Sequence, residues 1–338
     1  MRIAVDAMGG DHAPETVVKG ALEAALKTPA EIILVGDIEQ IKLYLPKQVP
    51  ANIKLQHASQ VVAMDDSPVR TVIKKSDSSL VVAAQMVKDG NADALITAGN
   101  TGAAVAICKL SWEMLPGVER PAIATILPKL AGHVVMLDSG ATTDCEPEWL
   151  LQFGVMGKAF SERVLGVKDA KVALLSIGEE RGKGNLLVKK AYDLLSAKLP
   201  GFIGNIEGKS FFTDGADVVV CDGFVGNALL KFGEGMIEFF VKLLKEVFPS
   251  SKLLLIPLFP LIFFYKNIQR LKKRLDYEEY GGAPLLGVNG VCIIAHGRSG
   301  PKAIRSAILE GAKAVEGGLI EAMAASCKAA SLEEPSHV

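Results

Sequence analysis

VALLSIGEERGKGN, Val172 to Asn185, begins as a short apolar run and ends in a loop that holds three glycines and a lysine, with a helix-like pattern directly behind it. Strand, glycine-rich turn and helix, in that order, form the repeating unit of a parallel α/β sheet. Gly182 and Gly184 flank Lys183, so backbone N–H groups can approach an anion closely while a mobile ammonium supplies the charge. A plain connecting loop has the same composition, and the stretch gains weight because its layout recurs along the chain.

Upstream, Ile3 to Ala7 reads as a buried strand and Met8 to His12 as a loop. Pro14 suits the first turn of a helix whose face carries Val17, Val18, Ala21, Leu22, Ala25 and Leu26. Glu31 to Val35 and Ile53 to His57 are further strands. After the polar stretch Met64 to Leu80, a helix around Val81 to Lys88 precedes a strand, Ala94 to Thr97, that runs into AGNTGAA (Ala98 to Ala104). Ala122 to Leu127 reads as one strand and Val134 to Asp138 as the next, ending in SGATTD. Downstream, DVVVCDGFVGNALLK (Asp217 to Lys231) and GVCIIAHGRSGPKAIRSAILEG (Gly290 to Gly311) repeat the order.

This alternation predicts a doubly wound, mostly parallel sheet whose strand-to-helix turns emerge on one edge, where ligands bind. Six turns are expected to converge: Gly9 and Gly10; Gly99, Asn100, Thr101 and Gly102; Ser139 and Gly140; Gly178 to Asn185; Asp222 to Asn227; and His296 to Ser299. A single α/β domain over residues 1–330, with a disordered tail at 331–338, is the expected organisation.

Basic and acidic side chains nearly balance, 37 against 38, which argues against a nucleic-acid grip or an acidic tail. Cys108, Cys145, Cys221, Cys292 and Cys327 lie far apart, without a CxxC pair or histidines at metal-ligand spacing. They read as reduced thiols in a cytosolic protein, with neither metal nor cofactor expected. The N-terminus, MRIAVDAMGG, lacks the basic flank and apolar core of a signal peptide.

Ser250 to Gly282 breaks the pattern. Leu253 to Phe264 is apolar, interrupted by Pro257 and Pro260, and Lys266, Arg270, Lys272, Lys273 and Arg274 follow. The run falls well short of the roughly 20 residues a helix needs to cross a bilayer. Residues 250–275 therefore read as a protruding tip that dips Leu254, Leu255, Leu258, Phe259, Ile262 and Phe263 into a membrane surface, or as a dimer contact or core segment.

Several familiar motifs are missing. GNIEGKS (Gly204 to Ser210) has one residue too few between its glycines for a nucleotide-binding P-loop, no G-x-G-x-x-G follows the first strand, and no G-x-S-x-G occurs. Asp6 and Asp11 either orient neighbouring groups or cap turns. His12 and His296, in glycine-rich turns, are candidates for ligand contact, and Arg120 either clamps an anion or forms a surface pair. Cys221 has no sequence neighbour that would lower its pKa and reads as packing.

DAMGGDHAP, MDDSP through KKSDSSL, AGNTGA, ERPAIA, IGEE with KGN, NIEG, DGFVGN and GGAPLLGVNGVCIIAHGRS run in order from Asp6 to Ser299. Together they resemble the bacterial phosphate acyltransferases of phospholipid synthesis, which pass a fatty acyl group from acyl carrier protein to inorganic phosphate. The resemblance implies a three-layer fold similar to phosphotransacetylases and isocitrate-type dehydrogenases, and the protruding helical tip read at 250–275 is more apolar than the family's mixed pattern. It also implies a homodimer, loosely attached to the inner face of the cell membrane, whose acyl phosphate goes to a downstream glycerol-3-phosphate acyltransferase. At LDSGATTD the family usually has Val and Asn where this chain has Ser139 and Thr142, so neither position is assigned a role.

Phosphate is largely dianionic near neutral pH and a thiolate leaves readily, so such a transfer asks for N–H-rich loops and a cation rather than a catalytic triad. Lys183 and Asn185, with the amides near Gly99 to Gly102 and Gly226, are expected to bind phosphate and the oxyanion. Asp6, His12, Arg120, His296 and Arg298 rank behind them, and Gly9, Gly10, Asn100, Thr101 and Asn227 are further contacts. Three rivals stand beside this reading: a short-chain phosphotransacetylase acting on acetyl-coenzyme A, a metal-dependent NAD-linked decarboxylating dehydrogenase, and a membrane scaffold for lipid enzymes.

Overall fold

A computed structural model describes residues 1–213, 215–247 and 281–332, and these described residues hold twelve strands. In chain order the first six are β1 (Arg2–Asp6), β2 (Glu31–Gly36), β3 (Ile53–His57), β4 (Ala94–Thr97), β5 (Ala122–Ile123) and β6 (Thr125–Pro128). The others are β7 (His133–Leu137), β8 (Val172–Ser176), β9 (Phe202–Glu207), β10 (Val218–Val220), β11 (Ala283–Leu286) and β12 (Val291–Ile294).

Side chains alternate between two faces along each strand, as the pleat requires. Ile3, Val5, Ile32, Leu34 and Ile96 join one core, and Ala4, Ile33, Val35 and Leu95 join another on the opposite face. Helices Glu15–Ala25 and Pro301–Glu316 pack together over the first face, and Ser79–Lys88 and Thr101–Trp112 cover the second.

The parallel-dominant α/β class expected from the sequence is present, but the strands divide between two sheets rather than one. The seven-stranded sheet has the order β3-β2-β1-β4-β12-β11-β5, and the five-stranded sheet the order β6-β7-β10-β8-β9. Among the described strands, antiparallel pairing is confined to β11 with its two neighbours and to β6 with β7. Ala122 to Leu127, read as one strand, is two. β5 pairs with β11 in the larger sheet, β6 pairs with β7 in the smaller, and Ala124 alone separates them. No glycine or proline marks this change of partner, and Thr125 is the one polar residue in the run.

Both sheets share one core. Val135, Leu137, Val172, Leu174, Val218 and Val220 of the smaller sheet belong to the same cluster as Ile3 and Leu34. Helix Pro147–Arg163 contributes Phe153 and Phe160, both fully buried, at about 1.5–3 kcal/mol each. Helix Leu319–Leu332 packs on it and runs into the first two residues of the stretch read as a tail. No described helix is long and apolar enough to cross a membrane. The proposed tip, including Leu254, Leu255, Leu258, Phe259, Ile262 and Phe263, lies outside the described residues.

Candidate active site

Three adjacent parallel strands of the larger sheet, β1, β4 and β12, deliver three of the expected turns to one place. Asp6, buried at the end of β1, accepts a hydrogen bond from Thr97 Oγ1 at 2.8 Å and from the Met8 N–H at 3.3 Å. The Gly99 N–H in turn donates to Thr97 Oγ1 at 3.0 Å. Burial pushes the Asp6 carboxyl above its usual range, and bonds from Ser79, Thr97, Met8 and Gly9 partly hold it down. With its oxygens engaged by these donors, Asp6 braces the turns. Asp11 N–H donates to the Gly297 carbonyl at 2.8 Å, tying the post-β1 and post-β12 turns together.

Asn100 is equally committed. Its Oδ1 caps helix Thr101–Trp112 by accepting from Ala103 N–H at 2.9 Å, and its Nδ2 donates to the carbonyls of Met64 at 3.0 Å and Asp66 at 3.1 Å. Thr101, Gly102, His12, His296 and Arg298 are exposed around this framework. His296 Nδ1 accepts from the Arg298 N–H at 3.1 Å, which fixes the ring over its own turn.

The other three turns follow β7, β8 and β10, adjacent in the smaller sheet. Asp138, fully buried after β7, accepts from Ile123 N–H at 2.8 Å, from Gly140 and Ala141 N–H at 3.1 Å each, and from Thr142 N–H at 2.6 Å. Burial raises this carboxyl too, against the pull of those four amides. Ser139 and Thr142 spend their hydroxyls on the carbonyls of Met136 and Pro121.

Helix Gly223–Val247 begins beside this turn, with Asp222 accepting from Val225 N–H at 2.8 Å. The Gly226 N–H donates to the Asp222 carbonyl at 2.9 Å, so it is spent within the helix, and Gly226 serves close packing instead. Asn227 is exposed and lies next to Gly140.

In the loop after β8, Gly184 adopts a φ of +103°, a left-handed conformation that glycine supplies without strain. Asn185 is exposed and caps helix Leu186–Lys198, accepting from Val188 N–H at 2.9 Å. Lys183 is exposed, with its stem over Gly178.

Two clefts open beside the Asp138 turn. A cleft of about 320 Å³ is lined by Asn185, Leu187, Asp222, Phe224, Val225 and Thr143 to Cys145. Its neighbour, about 290 Å³, is lined by Val105, Lys109, Arg120, Pro121 and Ala141 to Asp144. Thr143 and Asp144 form the ridge between them. Burial pushes the Cys145 thiol up to about 12, and it holds the buried Cys221 thiol well above its usual range, so neither is a ready thiolate. Among the described residues no group of three or more His, Cys, Asp and Glu side chains is arranged to hold a metal ion.

The six turns thus form two groups of three. Asp6, Gly9, Gly10, Gly99, Asn100, His296 and Arg298 belong to the first, and Lys183, Asn185, Gly226 and Asn227 to the second. Arg120 stands by the second cleft with Lys109, along the helix that Asn100 caps. Sequence reasoning passed over Asp138, although an Asp ending an apolar run two residues before a glycine is a turn signature that could have marked it. It also passed over Lys109, which only a helix-face reading from Thr101 would have found.

The parallel-dominant α/β fold is similar to that of phosphotransacetylases. A phosphotransacetylase from Streptococcus pyogenes superposes with a TM-score of 0.61 at 19% identity, covering 94% of each chain. A branched-chain phosphotransacylase from Enterococcus faecalis V583 gives 0.54 at 14% identity, covering 93% of this chain and 98% of that one. At such identities the likeness establishes the fold alone. A family model described as fatty acid synthesis protein matches residues 1–322, and the chain belongs to that family. Phosphate acyltransferases from Desulfitobacterium hafniense (strain DSM 10664 / DCB-2) and Heliobacterium modesticaldum (strain ATCC 51547 / Ice1) are 48% and 47% identical to it over 326 residues each. These alignments cover 95% and 96% of this chain, and 96% of each relative.

Proposed function

We propose that this protein is a phosphate acyltransferase that moves a long-chain fatty acyl group from the thioester of acyl carrier protein to inorganic phosphate. The observation that carries this reading is identity of 47–48% to phosphate acyltransferases along nearly the whole chain. A phosphate oxygen attacks the thioester carbonyl carbon, the carbonyl oxygen takes up negative charge, and collapse breaks the C–S bond, releasing the carrier thiolate and acyl phosphate. Lys183 neutralises the phosphate and Asn185 Nδ2 orients it, and the exposed Asn227 of the same group of turns completes the anion's surroundings. Asp6, Asn100 and Asp138 are positioning residues, whose hydrogen bonds set the turns before substrate arrives.

The acyl phosphate is a reactive anhydride, best handed over at the lipid surface where it is consumed. The protein works as a homodimer at the inner face of the membrane. The apolar run Leu253 to Phe264 with its basic neighbours supports the membrane contact, and exposed Phe232, Ile237, Phe239 and Phe240 on helix Gly223–Val247 support a covered surface.

The test is phosphate-dependent release of free carrier thiol from acyl carrier protein, run beside acetyl-coenzyme A and beside NAD reduction. Thiol release from the acyl carrier protein alone is expected. Preference for acetyl-coenzyme A, or reduction of NAD, overturns the assignment.

A further inference from the structure

The groove between helix Thr101–Trp112 and the loop Ala141 to Asp144 carries two cations that the reaction above leaves unused, Lys109 and Arg120. Thr101, Val105 and Lys109 recur at intervals of four and share one helix face. At 1.5 Å per residue, Lys109 lies about 12 Å along the axis from Thr101 at the glycine-rich end. Among the described residues neither Lys109 nor Arg120 forms an ion pair.

Arg120 is half-buried and its guanidinium carbon lies 4.6 Å from the Trp149 ring centroid. Glu119, the acid beside it in sequence, accepts the Trp149 Nε1–H at 3.0 Å and forms no ion pair with Arg120. Asp144, on the ridge, accepts from Thr143 Oγ1 at 3.4 Å. A guanidinium steadied on an indole, without a carboxylate to spend its N–H groups on, is prepared for an incoming anion of the phosphate kind.

Two anions of that kind enter the reaction: inorganic phosphate, and the phosphodiester that joins the pantetheine arm to its carrier. Inorganic phosphate must meet the thioester beside Lys183 and Asn185, and Asn185 opens into the other cleft, across the Thr143–Asp144 ridge. A charge pair a dozen ångströms or so along a helix from the glycine turns suits an anion tethered at arm's length from the reacting bond. We propose that this groove seats the donor's pantetheine arm, with Lys109 and Arg120 holding its phosphodiester and the thioester lying toward Thr101 and Gly140. This rests on the phosphate acyltransferase reading.

The experiment compares decanoyl-4′-phosphopantetheine with decanoyl-pantetheine as donors, following thiol release at fixed phosphate and then titrating phosphate. It uses the full chain, the Lys109→Gln and Arg120→Gln variants, and their combination. Wild type is expected to favour the phosphorylated donor by about tenfold in kcat/KM, the scale of one charge-assisted contact. Each variant is expected to lose part of that preference and the double variant nearly all of it. Because the Arg120 change also touches packing on Trp149, the exposed Lys109 carries the comparison should Arg120→Gln fold poorly. A wild type without preference, an undiminished preference in the variants, or a KM for inorganic phosphate that rises in place of the donor's overturns the assignment. Wild type that releases no thiol from these donors or from acyl carrier protein overturns the underlying reaction, and this assignment with it.

Discussion

Gly226 of helix Gly223–Val247 lies directly against the carbonyl oxygen of Asp138, so closely that a Cβ at that position would collide with it. The contact couples the helix to the turn whose amides Asp138 gathers. Gly226→Ala forces helix and turn apart, and overpacking of this kind costs about 1–3 kcal/mol. A lower melting temperature together with reduced turnover is expected. Unchanged thermal unfolding in the purified variant rules out a close contact here.

Lys183→Ala is expected to lower turnover by about 10²- to 10³-fold, the usual effect of deleting one group that stabilises transition-state charge. Lys183 is exposed, so circular dichroism and melting temperature remain those of wild type. Near-normal turnover and phosphate affinity in the variant reduce Lys183 to a loop residue.

Direct attack by phosphate predicts that no acyl group is ever held by the protein. Cys145 borders the larger cleft, but with its thiol pushed up to about 12 almost none is thiolate near neutral pH. Intact-protein mass spectrometry after incubation with acyl carrier protein thioester and no phosphate is expected to show no adduct, and Cys145→Ser to remain active. An acylated peptide containing any cysteine contradicts the mechanism.

Glu310 sits inside helix Pro301–Glu316 with one carboxylate oxygen lacking a hydrogen-bond partner among the described residues. Burial holds its pKa well above 4.5, opposed by the charge of Lys313. For an acid raised in the folded state, the unfolded chain gives up its proton first. The stabilisation is complete below 4.5 and is lost as pH rises through the folded value. Urea unfolding at pH 5 and pH 8 is expected to show wild type losing more stability than Glu310→Gln. Equal losses in the two proteins mean that Glu310 ionises in the folded state as it does in water.

Changing Leu258, Phe259 and Ile262 together to Asp is expected to abolish flotation with anionic liposomes, leaving a soluble dimer active on acyl carrier protein. If the triple variant instead falls apart to monomers, and wild type does not float, the segment is an interface between copies.

Much of the site's framework was legible because its strands are short apolar runs that end at glycine. Ala94 to Thr97 has the same bounds in sequence and structure, and the turns after β1, β4, β7, β8, β10 and β12 fall where glycine, asparagine and aspartate cluster. Partner choice was not legible. The switch of sheets at Ala124 is marked by no glycine or proline, and the commitment of Asn100 to carbonyls more than thirty residues upstream is a tertiary fact. Helix Pro68–Lys74 was missed because Val69 and Ile73 face solvent while the polar Thr71 is buried beside Val72, so the apolar pattern does not mark its buried face.

In the larger sheet β12 lies between β4 and β11, with Val291 opposite Ala94. The ribosome therefore releases β4 roughly two hundred residues before its neighbour exists, about 10–40 seconds at 5–20 residues per second. Through that interval Ala94, Leu95 and Ile96 present an apolar, unpaired edge, while the five-stranded sheet is made and can close on its own partners. The nascent chain is thus most exposed to wrong pairing in the middle of its synthesis, and β12 is the strand that ends that exposure.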